Sequence, residues 1–254
     1  LTDEGRELLS WGSTRGSGAF LRERPFEAVL GTVSGEQSGA HGAQHEARAM
    51  SEQRRDHLYD GWIYHLAVDP VLARARRLVR SRVRQGGSLI DMGCGTGALL
   101  FSLAGWCSDL VGVELSGRMW SYGRRRADAL GLAGVRLIRD DATELEALRD
   151  GSFDYASATM VLHEMAEERR LPLLSEMKRL ARTLILVDYR TPFPAGPRGT
   201  FILLIERLAG ADHYRHFRSF VKVGGLPPLL ERQGLTVEEE IPFHGGSLHL
   251  VRAA

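Results

Sequence analysis

The 254 residues, 43% of them hydrophobic, are enough for one α/β domain with a substantial core plus extra segments, and 33 Lys+Arg against 32 Asp+Glu leave a formal charge of +1. That balance excludes a strong global field toward nucleic acid or an anionic membrane, and no run approaches the ~20 apolar residues of a membrane span. With only two cysteines, Cys94 and Cys107, and no signal-peptide character in Leu1-Thr-Asp-Glu-Gly-Arg, the expected setting is a soluble, reducing cytoplasm without a disulfide framework.

Residues 1–50 read as an N-terminal extension: glycines punctuate a polar run, and only Phe20 to Leu30 carries an apolar pattern. The domain proper is expected over 51–254. From Gln53 to Arg84 the pattern predicts helix in two parts, because Asp69-Pro70 supplies an N-cap and a first-turn proline before Val71, Leu72, Ala75, Leu78 and Val79. The arginines around that stripe, without interleaved aromatics, read as a solvated face rather than an RNA patch.

Strand and helix signals then alternate: strand 88–92, helix 97–105, strand 110–114, helix 117–130, strands 135–139 and 153–158, helix 165–181, strand 183–188. A series of this kind makes a parallel sheet with helices on both faces, and right-handed crossovers bring the loops after the strands to one edge, where ligands bind. Two further strand-like runs, Leu235 to Phe243 and Ser247 to Arg252, joined by His244-Gly245-Gly246, read as a closing hairpin. The expected fold is therefore α/β and Rossmann-like, a mostly parallel seven-stranded sheet with a C-terminal antiparallel hairpin.

The chemistry begins at Ser88-Leu-Ile-Asp91-Met-Gly93-Cys-Gly95-Thr-Gly97, an apolar strand ending in an acid and a glycine-rich turn. The glycines let backbone N–H groups approach a ligand, as Gly93, Gly95 and Ala98 would in a dinucleotide fingerprint. A carboxylate at Asp91, however, repels a pyrophosphate and attracts an ammonium or sulfonium group. Glu114 ends the second strand where a ribose diol is expected, and Asp141, after the third, can accept a hydrogen bond from an adenine amino group. Three acidic strand ends suit an adenosine ligand with a cationic tail.

From about Tyr59 onward these motifs resemble the class I S-adenosylmethionine-dependent methyltransferases, and more narrowly the small-molecule branch that includes the ubiquinone/menaquinone C-methyltransferases. The resemblance implies that Asp91, Gly93, Gly95 and Gly97 pack against the methionine part of S-adenosyl-L-methionine. It assigns the ribose to Glu114 and the adenine to Asp141-Ala142, with Ser157 on the fourth strand and Tyr59 covering the cofactor; Trp62 and Tyr64 suit a hydrophobic seam equally well. Arg182-Thr183-Leu184 departs from the family, where many relatives have a Gly-Gly turn.

The methyl acceptor is expected to be a small molecule, aromatic or lipid-like, under a lid inserted at about 195–226 that carries Phe201, Phe217 and Phe220. Catalysis falls to His163 after the fourth strand and to the lid residues His213, Tyr214 and His216, by alignment or by general-base action. His163-Glu164 lacks the second histidine of a zinc-protease motif, since position 167 is Glu, and His213 with His216 alone is a weak ligand pair, so no metal is expected. The rival readings are an RNA or protein methyltransferase and a non-catalytic cofactor-binding scaffold; balanced charge and the absence of an Asn-Pro-Pro-Tyr type element oppose the first. The sequence is compatible with a homodimer.

Overall fold

Short, nearly continuous runs of Leu, Ile, Val and Ala make strands that are buried on both faces, as in a parallel sheet. The computed structural model describes residues 72–193 and 195–254. Its elements are α1 (Ala73–Arg80), β1 (Ser88–Met92), α2 (Ala98–Leu103), β2 (Asp109–Glu114), α3 (Gly117–Ala129), β3 (Val135–Arg139), β4 (Phe153–Thr159), α4 (Glu167–Leu180), β5 (Ala181–Tyr189), α5 (Pro197–Leu208), α6 (Ala211–Lys222), α7 (Leu226–Arg232), β6 (Val237–Phe243), a 3₁₀ turn (His244–Gly246) and β7 (Leu248–Ala253). The extension 1–50, its boundary, the first part of the 53–84 helix, and Tyr59, Trp62 and Tyr64 lie outside the described residues.

The strand order is β3-β2-β1-β4-β5-β7-β6, parallel from β3 to β5, with β7 antiparallel to β5 and β6 antiparallel to β7. This is the expected seven-stranded sheet with its terminal hairpin. The chain runs outward from β1 through β2 to β3 and then restarts on the other side with β4, so the topological switch point lies between β1 and β4. Asp91 stands in register with Gly112 on one side and Ser157 on the other, which puts the candidate site at the C-terminal edge of the central strands.

Several boundaries differ from the sequence pattern for local reasons. Helix α2 is shorter than 97–105: Gly97 is its left-handed N-cap (φ 78°) and Ala104 leaves helical space at ψ 132°. Helix α1 ends at Arg80 rather than Arg84, although Val83 beyond it is still buried in the core. No turn separates α4 from β5, since Leu180 ends one and Ala181 begins the other. This is where the expected Gly-Gly turn was missing, and Arg179 holds the corner by donating to the carbonyls of Leu145 (3.0 Å) and Leu148 (2.7 Å).

The segment between β5 and β6 forms α5, α6 and α7. Phe217 and Phe220 of α6 turn into the core, fully buried. Phe201 does not join them: it is 62% exposed, on an outer stripe of α5 with Leu204, Ile205 and Leu208. The 201 position follows the helical repeat of that outer stripe and is out of phase with the inner face of α6.

Candidate active site at the switch point

The end of β1 is an acidic carboxylate in a dry place. Asp91 is 3% exposed and accepts a hydrogen bond from the Ser157 hydroxyl at 2.7 Å. Burial pushes its pKa up to about 7; the Ser157 bond opposes this and the nearby Glu114 charge adds to it. A buried carboxylate with only a neutral partner is a natural counter-ion for an ammonium or sulfonium group. Ser157 is itself fully buried, so it acts by fixing Asp91 from behind.

The turn beyond Asp91 is tight for a steric reason. Gly93 has φ +71°, and a Cβ there would stand 2.8 Å from Val161 Cγ2, so the turn lies directly against the loop after β4. Gly95, at φ +57°, would meet only Met119 Cε at 3.4 Å and faces space on the ligand edge. Its amide donates to Glu114 Oε2 at 2.8 Å, while Oε1 of the same carboxylate accepts from Ser116 N at 2.8 Å. Burial raises the Glu114 pKa, these backbone bonds pull it back, and the charge of Glu164 raises it further.

Asp141 follows β3 as anticipated, but its carboxylate is engaged by Arg169 and by Thr143, whose hydroxyl donates at 2.7 Å. Ala142 sits next to it, half-buried. Asp91, the glycines, Glu114 and Asp141 thus share one edge. The residues fit a cationic adenosine ligand: two buried acids, a glycine cradle that a Cβ would fill and, among the described residues, no buried lysine or arginine bonded to Asp91 to receive a pyrophosphate.

Opposite the turn stands a second group of polar side chains. His163 is 2% exposed; its Nδ1 lies 2.8 Å from Asp188 Oδ1, and Asp188 is itself fixed by accepting from Tyr189 N at 2.8 Å. Burial works against a charged imidazole here, but Asp188, with Glu164 and Glu206, pushes its pKa up to about 9. Its Nε2 faces two more carboxylates, 3.8 Å from Glu164 Oε1 and 4.0 Å from Glu206 Oε2. Glu206 comes from α5 and is 4% exposed; Tyr189 donates its hydroxyl to Oε1 at 2.6 Å and His213 Nε2 lies 2.5 Å from Oε2. Burial opposes the Glu206 charge, yet the His213 bond, His163 and Tyr189 hold its pKa below the ordinary value.

The four proposed catalytic side chains separate into different roles. His163 and His213 meet, with ring centroids 5.7 Å apart at 82°. His216 does not join them: its Nδ1 is 2.8 Å from the Glu164 carbonyl, on the outside of the same loop. Tyr214 stacks on Phe217 with centroids 6.4 Å apart. Tyr189, Phe217 and Phe220 pack around His163, and Phe193 packs on Tyr189 and Phe217 behind them.

Asp188, Tyr189, Glu206 and Arg170 were not singled out from the sequence. Asp188 ends β5, and the strand-end rule that located Asp91 and Glu114 applies to it as well. Glu206 is hidden because it interrupts a helix whose neighbours are exposed leucines. Arg170, fully buried, has no signal among the other arginines; its guanidinium donates to the carbonyls of Leu162 (3.0 Å), Met165 (2.9 Å) and His216 (2.6 Å). It ties the β4–α4 loop to the lid.

Comparison with known proteins agrees with this geometry. Residues 89–183 match a family model described as a methyltransferase domain. The chain is 26% identical over 189 residues to a demethylmenaquinone methyltransferase of Bacillus cereus (strain AH187), covering 66% of this chain and 78% of the relative. Among solved structures it resembles the mitomycin 7-O-methyltransferase MmcR (TM-score 0.55, 18% identity, 85% of this chain and 69% of that one). It also resembles the magnesium protoporphyrin IX methyltransferase ChlM from Synechocystis PCC 6803 with bound SAH (TM-score 0.53, 18% identity, 84% and 94%). The sheet order, the acidic glycine turn and the matched segment agree in supporting a methyltransferase domain of the class I, S-adenosylmethionine-dependent kind over residues 89–183.

Proposed function

We propose that this enzyme methylates a small-molecule acceptor held between the glycine turn and the α5–α6 lid, in the branch of the family that includes the menaquinone and ubiquinone C-methyltransferases. The observation that carries the reading is the contact of Gly93 with Val161, because it seats the His163 loop directly across from the cofactor turn. S-adenosylmethionine, when bound, supplies a methyl group that its sulfonium already makes electrophilic. Asp91 would hold the cationic tail, Glu114 the ribose and Asp141-Ala142 the adenine.

The protein's remaining tasks are alignment and exclusion of water. Phe193, Phe217 and Phe220 with Tyr189 supply an apolar wall suited to a ring, and the polar cluster around His163, which Asp188 fixes, stands beside that wall to meet the acceptor's polar end. The likeness to demethylmenaquinone methyltransferases supports a quinone-type acceptor. No helix among the described residues is long and apolar enough to cross a membrane; the free thiols Cys94 and Cys107 suit a cytoplasmic setting.

Incubation of the pure protein with methyl-labelled cofactor, a metabolite extract and a panel of hydroxyaromatic and quinone compounds tests the reading. Label should enter the small-molecule fraction. Label confined to RNA or protein, or to nothing in the presence of bound cofactor, would overturn it.

A further inference from the structure

His163, Glu206 and His213 each offer one ligand-type atom, and these atoms lie within 4.8 Å of one another. The three come from distant parts of the chain: the loop after β4, α5 of the lid and α6 of the lid. We infer that this cluster binds one divalent transition cation, with Glu164 as a fourth donor, and that the cation closes the lid and holds an oxygen of the methyl acceptor. The inference deepens the small-molecule methyltransferase reading and rests on it for the acceptor alone.

The donor set is that of a cation site. Two imidazoles with carboxylates suit manganese, iron or zinc in the divalent state rather than calcium or magnesium, which prefer oxygen. The supporting residues have the form that metal ligands require. Asp188 takes the Nδ1 side of His163 at 2.8 Å and leaves Nε2 facing the cluster, and Tyr189 donates to the Glu206 oxygen that faces away from the cluster at 2.6 Å. Both ligands are thereby fixed in orientation by a buried partner.

Charge and distance point the same way. Asp188, Glu206 and Glu164 are three carboxylates, and Arg170 is the buried cation beside them, its guanidinium spent on carbonyl oxygens. A divalent ion would take the place of a proton on His163 and meet the same three carboxylates in a largely dry site. The Nε2 atom of His163 stands 3.8 and 4.0 Å from the nearest oxygens of Glu164 and Glu206, beyond hydrogen-bond reach of either. Donors about 2.0–2.2 Å from a shared ion stand roughly 3–4 Å apart. Those two separations already have that size, and the 2.5 Å contact of His213 with Glu206 opens to it by rotation of the carboxylate.

The test uses the full chain freed of metal with a chelator. Titration with Mn²⁺ followed by electron paramagnetic resonance, and with Zn²⁺ by calorimetry, should show one site per chain. Glu206→Gln and His213→Ala should each weaken it at least tenfold, while His244→Ala, at the exposed hairpin turn, should not. Calorimetry with S-adenosylhomocysteine on every variant establishes that the cofactor half is folded. Cofactor binding with no stoichiometric metal, or metal binding equal in all variants, overturns the cation site and leaves the methyltransferase reading standing. Loss of cofactor binding in the parent protein would instead remove that reading. If the lid is clamped by the ion, metal should also slow proteolysis within 196–223, and equal cleavage with and without it defeats the clamp.

Discussion

A carboxylate that is 3% exposed and, among the described residues, bonded to a hydroxyl and not to a cation is costly to ionise, and Asp91 therefore links cofactor binding to pH. Its folded pKa, about 7, is above the ordinary 3.8, so the native state holds the proton more tightly than the unfolded chain. The stability this confers is complete below about pH 3.8 and is lost as pH rises toward 7, a change of about 4 kcal/mol over some three units. An ammonium group placed beside Asp91 reverses the preference. S-adenosylhomocysteine should thus release a proton on binding below pH 7 and bind more tightly at pH 7.5 than at 5.5, as calorimetry in buffers of different ionisation heat would show. Asp91→Asn should flatten that profile and stabilise the cofactor-free fold above pH 7. A pH-independent affinity in the parent protein would remove Asp91 from the ligand. Glu114→Ala removes both the acceptor for Gly95 and the proposed ribose partner, and should weaken the same ligand by about 1–3 kcal/mol; unchanged affinity in a folded variant would take Glu114 out of the site.

Among the elements, the lid depends on one buried cation. Arg170 of α4 donates to carbonyls of the β4–α4 loop and of α6, and its guanidinium lies 5.5 Å from the Phe220 ring. Arg170→Met keeps the bulk but removes the charged donor that those carbonyls share, and should cost about 1–3 kcal/mol in urea unfolding. Since the bonds hold α6 against the site, that variant should also raise KM for the acceptor more than it alters cofactor affinity. A variant with parent stability would show that water replaces the guanidinium without loss. The pattern of α5 explains why the lid was partly legible: helical spacing revealed a helix, but its strongest apolar stripe, with Phe201 at 62% exposure, is on the outer side, and the buried working residue is Glu206. Periodicity identifies an apolar face without saying whether that face is covered.

At the scale of the whole molecule, the seven strands of the described residues lie between Ser88 and Ala253, and the switch point between β1 and β4 fixes where ligands bind. Deletion of residues 1–45 leaves all of those seven strands in place. The shortened chain should fold cooperatively and bind S-adenosylhomocysteine with an affinity close to that of the full chain, measured by thermal unfolding and calorimetry. Insolubility or loss of binding would make the extension part of the core or of the acceptor pocket.

The sheet and its cofactor edge were determined by sequence alone, because both rest on short-range rules. Buried parallel strands need continuous apolar runs, glycine spacing permits a turn with φ above zero, and side chains at strand ends fall on one edge by chirality of the crossovers. Asp91, Glu114 and Asp141 follow from those rules without any knowledge of packing. The polar cluster does not. His163, Asp188, Glu206 and His213 are separated by as many as fifty residues, and no local pattern relates a loop after β4 to two lid helices. Only the docking of α5 and α6 onto the sheet brings His213 to Glu206 while sending His216, three residues on, to the Glu164 carbonyl. The two histidines stand about 60° apart around the helix, and the rotation that decides which of them meets Glu206 is set by what α6 buries, Phe217 and Phe220, rather than by the histidines themselves.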